Sequence, residues 1–227
     1  MNEQSVLIAI LSGRESVHPK WALALRNLQV PIAHQIITIK GLPFDHARND
    51  AVRHALANNF TWLFFLDDDV VVPWDGLVRL LNHKLDIVSG LYFRRSPPIN
   101  LPVMMRIVPV KNEKGEPVKN EKGEQVMGTE WITKFDAPVL LPVDYVGAGC
   151  LLIHRRVLER TMQATNGRPF RWLSEVGGPD GRKISEDYAW CDTAHQCGFK
   201  VIVDTGVQCG HIGAAEASIH GFGAVEY

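Results

Sequence analysis

Apolar residues in the first hundred positions fall into short unbroken runs separated by longer stretches of mixed polarity. SVLIAIL at 5–11, QIITI at 35–39, TWLFFLDDD at 61–69 and DIVSGLYF at 86–93 read as strands, being too short for helices of ordinary length. The segments between them, 19–28, 45–58 and 74–83, read as helices; Pro19 is tolerated in a first turn, and Gly41 to Pro43 form a turn ahead of the second helix. Buried strands separated by helices of about 10–15 residues require right-handed crossovers and a mainly parallel sheet covered on both faces. The expected fold class is α/β, with a Rossmann-like central sheet flanked by helices.

The pattern then changes. PVMMRIVPV at 102–110 and LPVDYVGAGCLLIHR at 141–155 read as strands with no helix between them, which predicts a smaller antiparallel part. Between them, within 111–126, KNEKGE occurs twice, each copy with Gly in a charged turn. That segment reads as an exposed hairpin or flap inserted at the surface. A helix at about 155–164 precedes 166–184, which is rich in Gly, Pro and charge and contains Phe170 and Trp172. So long a loop in a compact domain reads as a lid or binding loop. A helix from Ser185 to Cys197 with Gly198 as its C-terminal cap, a strand at 199–204, and a tail carrying Cys209, His211 and His220 complete the chain. We expect a single domain over 1–227, with a nucleotide-binding half at 1–100, an acceptor-side half at 101–213 and a tail at 214–227.

Composition narrows the function classes. With 24 Lys and Arg against 25 Asp and Glu, the net charge of -1 provides no global field for nucleic acid or an anionic membrane, so any basic site must be local. MNEQSVLIAIL has no basic leader and too short an apolar run for a signal peptide, and no stretch is long enough to span a bilayer. A cytoplasmic protein is expected. Cys150, Cys191, Cys197 and Cys209 form no CxxC pair and read as small buried thiols; zinc held by Cys191, Cys197 and Cys209 with His195 or His211 is the weaker alternative.

The run Asp67-Asp68-Asp69 stands where the third strand ends, the edge at which open parallel sheets gather ligands. Strand alternation would put Asp67 and Asp69 on one side and Asp68 on the other. Adjacent carboxylates repel and raise one another's pKa unless a cation or hydrogen bonds compensate them. Mg²⁺ or Mn²⁺ suits this chemistry, taking one or two carboxylates and filling its other positions with water and phosphate oxygens. The implied substrate is a nucleoside diphosphate or its ester. The structural alternative is that the aspartates cap the turn before Pro73-Trp74-Asp75.

Other positions have two readings as well. Ser185-Glu186-Asp187 suits a helix N-terminus by capping and macrodipole alone; it also follows the long loop and precedes His211, a candidate metal ligand acceptable to Mn²⁺. Arg48, beside Asn49, reads as a surface residue neutralised by Asp45 and Asp50. Arg94-Arg95 and Arg155-Arg156 read as solvated charges or as groups that steady a diphosphate. Gly147-Ala148-Gly149 marks a bulge or a close approach of ligand or backbone.

In order, HARNDAV, LFFLDDDV, VSGLYFRR, VGAGCLLIHRRVLE, SEDYAWCDTAHQCGFKVIVD and CGHIG resemble a GT-A-type glycosyltransferase of the family-2 kind, over about residues 5–213. The first loop, LSGRES, lacks the Pro and Asn often seen there in that family. The resemblance implies a GT-A fold and a metal-dependent hexosyltransferase-like enzyme that uses a nucleotide-sugar, expected to be a UDP-sugar. By position it implies that Asp69 and His211 bind the metal, that Asp67 contacts the ribose or sugar, and that Asp68 supports the nucleotide. Ser12, Arg14, Arg48 and Asn49 would lie near the nucleoside, with Gly149 close to the donor. Asp187 would be the base near the acceptor hydroxyl, with Glu186 and Trp172 on the acceptor side. The acceptor class stays open among glycan, small molecule, protein and nucleic acid. Two rival readings are a nucleotidyltransferase on a similar sheet and a non-catalytic nucleotide-sugar binder.

Overall fold

The computed structural model describes residues 4–95, 101–172, 184–213, 215–218 and 221–224. His220 and positions 173–183 of the anticipated lid lie outside the described residues. In chain order the elements are β1 (Ser5–Ser12), α1 (Pro19–Asn27), β2 (Ala33–Lys40), α2 (Phe44–Ala57), β3 (Trp62–Asp67), β4 (Val70–Val71), α3 (Gly76–Asn82) and β5 (Ile87–Leu91). There follow β6 (Met104–Pro109), β7 (Met127–Trp131), β8 (Leu140–Val143), β9 (Tyr145–Val146), β10 (Cys150–His154), α4 (Arg155–Ala164), α5 (Glu186–Gln196), β11 (Val201–Gln208), β12 (Gly210–His211), β13 (Ala215–Ser218) and β14 (Gly221–Ala224).

The apolar runs assemble into one seven-stranded sheet in the order β2-β1-β3-β10-β5-β11-β8. Strands β2, β1, β3, β5 and β11 share a direction, and β10 and β8 run against them. The expected α/β class with a mainly parallel sheet and a smaller antiparallel part is what the chain adopts. Successive residues of β1 and β3 feed opposite faces: Leu7, Ala9, Leu63 and Phe65 pack with α2, α4 and α5, while Val6, Ile8, Phe64 and Leu66 pack with α1 and α3. Burial on both faces explains why these strands read as unbroken apolar runs. β2, at the sheet edge, alternates, turning only Ile37 and Ile39 toward the core.

Helix α2 lies close against the sheet because its inner face carries Ala47, Ala51, Val52 and Ala55, spaced as one helical stripe. The same face also buries Arg48 and Asn49, which corrects the surface reading of Arg48. Three further expectations change. The third strand stops at Asp67, with Asp68 and Asp69 in a turn. The stretch 141–155 is not one strand but β8, β9 and β10 in two sheets, with Asp144 between β8 and β9 and the glycines that precede Cys150 between β9 and β10. The repeated segment is a pair of tight turns rather than one hairpin; Asn112 and Asn120 each accept from two backbone N–H groups, at 3.0 Å. The two turns are inserted between β6 and β7, which pair antiparallel beside β9.

Candidate active site

The carboxyl ends of β1, β3 and β5 open onto a cavity of about 470 Å³, lined among others by Arg14, Asp67, Asp68, Asp69, Arg95 and His211. Alternation does not extend through the aspartates, because the chain turns after Asp67; all three reach this one cavity. Asp67 is pinned through its backbone, its N–H donating to Gly149 O at 3.0 Å and its carbonyl accepting from the Trp21 indole at 2.9 Å. A Cβ on Gly149 would stand 2.9 Å from Val70 Cγ2 and 3.2 Å from Asp67 Oδ2, so this glycine lets those two side chains pack against its backbone.

The Asp67 carboxylate accepts from Arg48 Nη2 at 3.3 Å. Arg48 is only 3% exposed and also donates to Glu186 Oε1 at 3.2 Å and to Ala148 O at 3.3 Å. Burial works against its charge, but Asp67 and Glu186 outweigh it and hold the guanidinium firmly protonated. For Asp67 the balance goes the other way. Burial, aided by Asp69 and Asp187, pushes its carboxyl above the ordinary range despite Arg48 and His211. Glu186 is raised too, first by burial and then by Asp187. Glu186 was expected on the acceptor side; it lies buried beneath Arg48 instead.

Asp69 has a different surrounding. β4 pairs with β12, setting His211 opposite Val70, and Ile212 N donates to Asp69 O at 2.7 Å. This non-local pairing brings His211 Nε2 to 3.4 Å from Asp69 Oδ1. His211 Nδ1 faces the Phe93 carbonyl at 2.7 Å, an atom that only accepts, so Nδ1 carries the hydrogen. Protonated, the ring donates Nε2–H to Asp69, the contact that helps hold that carboxyl low. Neutral, its Nε2 lone pair faces the carboxylate oxygen as two acceptors do across a cation, and a carbonyl on the far imidazole nitrogen is the usual support of a metal-ligating histidine. The pair therefore fits Mn²⁺ or Mg²⁺. Among the described residues no three His, Cys, Asp or Glu side chains converge as a metal site, so water and phosphate oxygens would complete the shell.

The other Asp69 oxygen, Oδ2, accepts from Arg14 Nη2 at 2.9 Å and from Arg95 Nη1. Burial alone would raise the Asp69 pKa, but His211, Arg95 and Arg14 overcome it and hold the carboxyl below its ordinary value. Asp68, expected to point away, joins this group: it accepts from Ser12 Oγ at 2.6 Å and lies 4.0 Å from Arg14 Nε.

Three other residues in the cavity wall were not singled out in the sequence. Trp131 stands under the Arg94 guanidinium, 5.7 Å from the ring centroid, and Tyr188 and Phe44 add aromatic surface. The doublet Arg94-Arg95, read as solvated charge or as groups that steady a diphosphate, lines this cavity, and Trp131 carries no sequence signal beyond being an aromatic in a polar strand. Asp187 follows Ser185, the N-cap of α5, and its Oδ1 accepts from the Ser185 hydroxyl and from Tyr188 N–H. Its charge reaches Asp67, Arg48 and Tyr92.

Several anticipated residues stand elsewhere. Asn49 does not face the cavity: its amide clamps the Phe170 backbone, donating to O at 2.8 Å and accepting from N at 3.0 Å. Phe170 is core, stacked on Trp190 at 5.3 Å. Trp172 is half-buried and does not line the cavity. Arg155 and Arg156 pair with Glu159 and Asp86, outside the cavity. All four thiols are free, and both nitrogens of His195 meet backbone carbonyls, at 3.0 and 2.9 Å, which removes the zinc alternative built on it. No helix among the described residues is long and apolar enough to cross a membrane.

No family model matches the chain, and no curated protein matches it. Among solved structures, the crystal structure of A197 from STIV superposes with a TM-score of 0.56 at 18% identity, over 99% of this chain and 96% of that one. This likeness shows a shared fold. A CMP:2-keto-3-deoxy-manno-octonic acid synthetase complexed with CTP superposes with a TM-score of 0.43 at 11% identity, over 88% of each chain.

Proposed function

We propose that the chain is a metal-dependent glycosyltransferase that moves a sugar from a nucleotide-sugar, a UDP-sugar in the first instance, to an acceptor hydroxyl. The observation that carries this reading is the facing pair of Asp69 and His211 Nε2, set at the sheet's carboxyl edge among three arginines in one cavity. A divalent ion held there would supply Lewis-acid stabilisation of the departing diphosphate. Asp68, held by Ser12, borders the nucleotide side, and Asp67 faces the ribose or sugar. Asp187 takes the acceptor's proton as the acceptor oxygen attacks the anomeric carbon and the bond to the diphosphate breaks. In support, Asp187 has one oxygen fixed by Ser185 and Tyr188, while its second has no hydrogen-bond partner among the described residues.

Release of nucleoside diphosphate from a panel of nucleotide-sugars, with and without Mn²⁺, tests the reading. We expect turnover that depends on Mn²⁺. Asp69→Ala should abolish metal-dependent donor binding, and Asp187→Asn should keep donor binding while losing transfer by about 10²–10⁴-fold. Pyrophosphate release from a nucleoside triphosphate with a sugar phosphate would point to a nucleotidyltransferase instead. Tight binding with no turnover of any donor would leave a non-catalytic binder.

A further inference from the structure

We infer that Arg14 and Arg95, which hold Asp69 through Oδ2, exchange that oxygen for the diphosphate when a divalent ion is held between Oδ1 and His211 Nε2. The inference rests on the proposed function and gives Arg14 and Arg95 a switching rule. Asp69 Oδ2 accepts from both guanidinium groups, which approach from different elements, Arg14 from the loop after β1 and Arg95 from the chain after β5. Asp69 is 8% exposed, whereas the side chains of Arg14 and Arg95 are 41% and 46% exposed. The acid is fixed by its turn and by Ile212; the arginines stand in open space and can swing on long stems.

A divalent ion between Asp69 and His211 repels both guanidinium groups at short range, and they need new anionic partners. The diphosphate oxygens that complete the ion's shell are such partners, and guanidinium matches phosphate geometry with paired N–H donors. Metal alone therefore binds against two resident cations, and diphosphate alone competes with Asp69 for those cations. Together each ligand removes the other's obstacle. The two should bind with positive coupling, reciprocal by linkage.

Calorimetric titration of the full chain with MnCl₂ alone, UDP alone, and UDP in saturating Mn²⁺ tests this on wild type, Arg14→Gln, Arg95→Gln and the double variant. The exposed singles serve should the double variant not fold. Removing both exposed pairs should tighten Mn²⁺ alone by about tenfold and weaken UDP in Mn²⁺ by about tenfold or more, with each single variant moving part of the way in both directions. Opposite movement is the signature. Wild-type protein that binds neither Mn²⁺ nor UDP overturns the proposed function and the exchange with it. Wild-type protein that binds both, with variants whose two affinities rise together or do not move, overturns the exchange alone.

Discussion

Arg48 with Asp67 and Arg95 with Asp69 are two arginine–aspartate pairs whose acids lie two positions apart in sequence, yet they behave as different devices. Arg48 is 3% exposed and divided among Asp67, Glu186 and the Ala148 carbonyl, so each of its three guanidinium nitrogens has a partner in the packed structure. Arg95 reaches Asp69 from the cavity rim with 46% of its side chain in solvent. The first pair fixes the end of β3 against α2 and α5. The second is a contact at the solvent-facing rim, on the Asp69 oxygen that His211 does not face. Burial sets the difference, since removing one partner from water-excluded charges leaves the other uncompensated, while exposed partners are resolvated.

That contrast can be broken by substitution. Arg48→Ala should cost about 3–5 kcal/mol of stability, because Glu186 would remain as a buried acid, and Asp67 as a half-buried one, without a counter-ion; Arg95→Ala should cost about 1 kcal/mol or less. Thermal melts of the two variants measure this directly, and equal losses would erase the distinction. Asn49→Ala comes next. It strips both partners from the Phe170 backbone and should cost about 1–3 kcal/mol without changing Mn²⁺ affinity, which calorimetry would read.

The smallest effect sharpens the comparison through pH. Asp69 has a lowered pKa, so its contribution to stability is present above the unfolded carboxyl value of 3.8 and is lost as pH falls through the lower folded value. Asp67 has a raised pKa; the folded state holds its proton more tightly, so its contribution is greatest below 3.8 and is lost as pH rises through the higher folded value. In metal-free protein, the stability difference between wild type and Asp69→Asn should shrink toward acid pH. For Asp67→Asn it should change in the opposite sense between pH 3.8 and the raised value. Denaturant midpoints across pH 3 to 7 check both, and parallel curves would refute the assignment of two environments.

Much of the frame was legible in the chain because it rests on local pattern. SVLIAIL and TWLFFL are unbroken apolar runs because both faces of a central strand are covered, and the helices between them carry the turn chemistry that starts and stops them. The aspartates at the end of β3 and the late His211 were visible as candidates for the same reason: polar groups at strand ends stand out against apolar runs. What misled was extending a period past the point where it applied. Alternation assigned Asp68 away from Asp69, but a turn intervenes, and both meet Arg14.

The sequence by itself determined the α/β layering, the order of the first strands and helices, and the concentration of acids at one sheet edge, all set by short-range periodicity and turn residues. The tertiary structure alone decided the rest: Arg48 and Asn49 lie in the core, Glu186 serves Arg48, Phe170 packs on Trp190, and Arg94, Arg95 and Trp131 share the aspartates' cavity. His211 reaches Asp69 only because β12 pairs with β4, a contact between distant segments that no local pattern encodes. Charge and residue type state what a side chain can do; burial and long-range pairing decide whether it is locked in structure or free to exchange partners at the site.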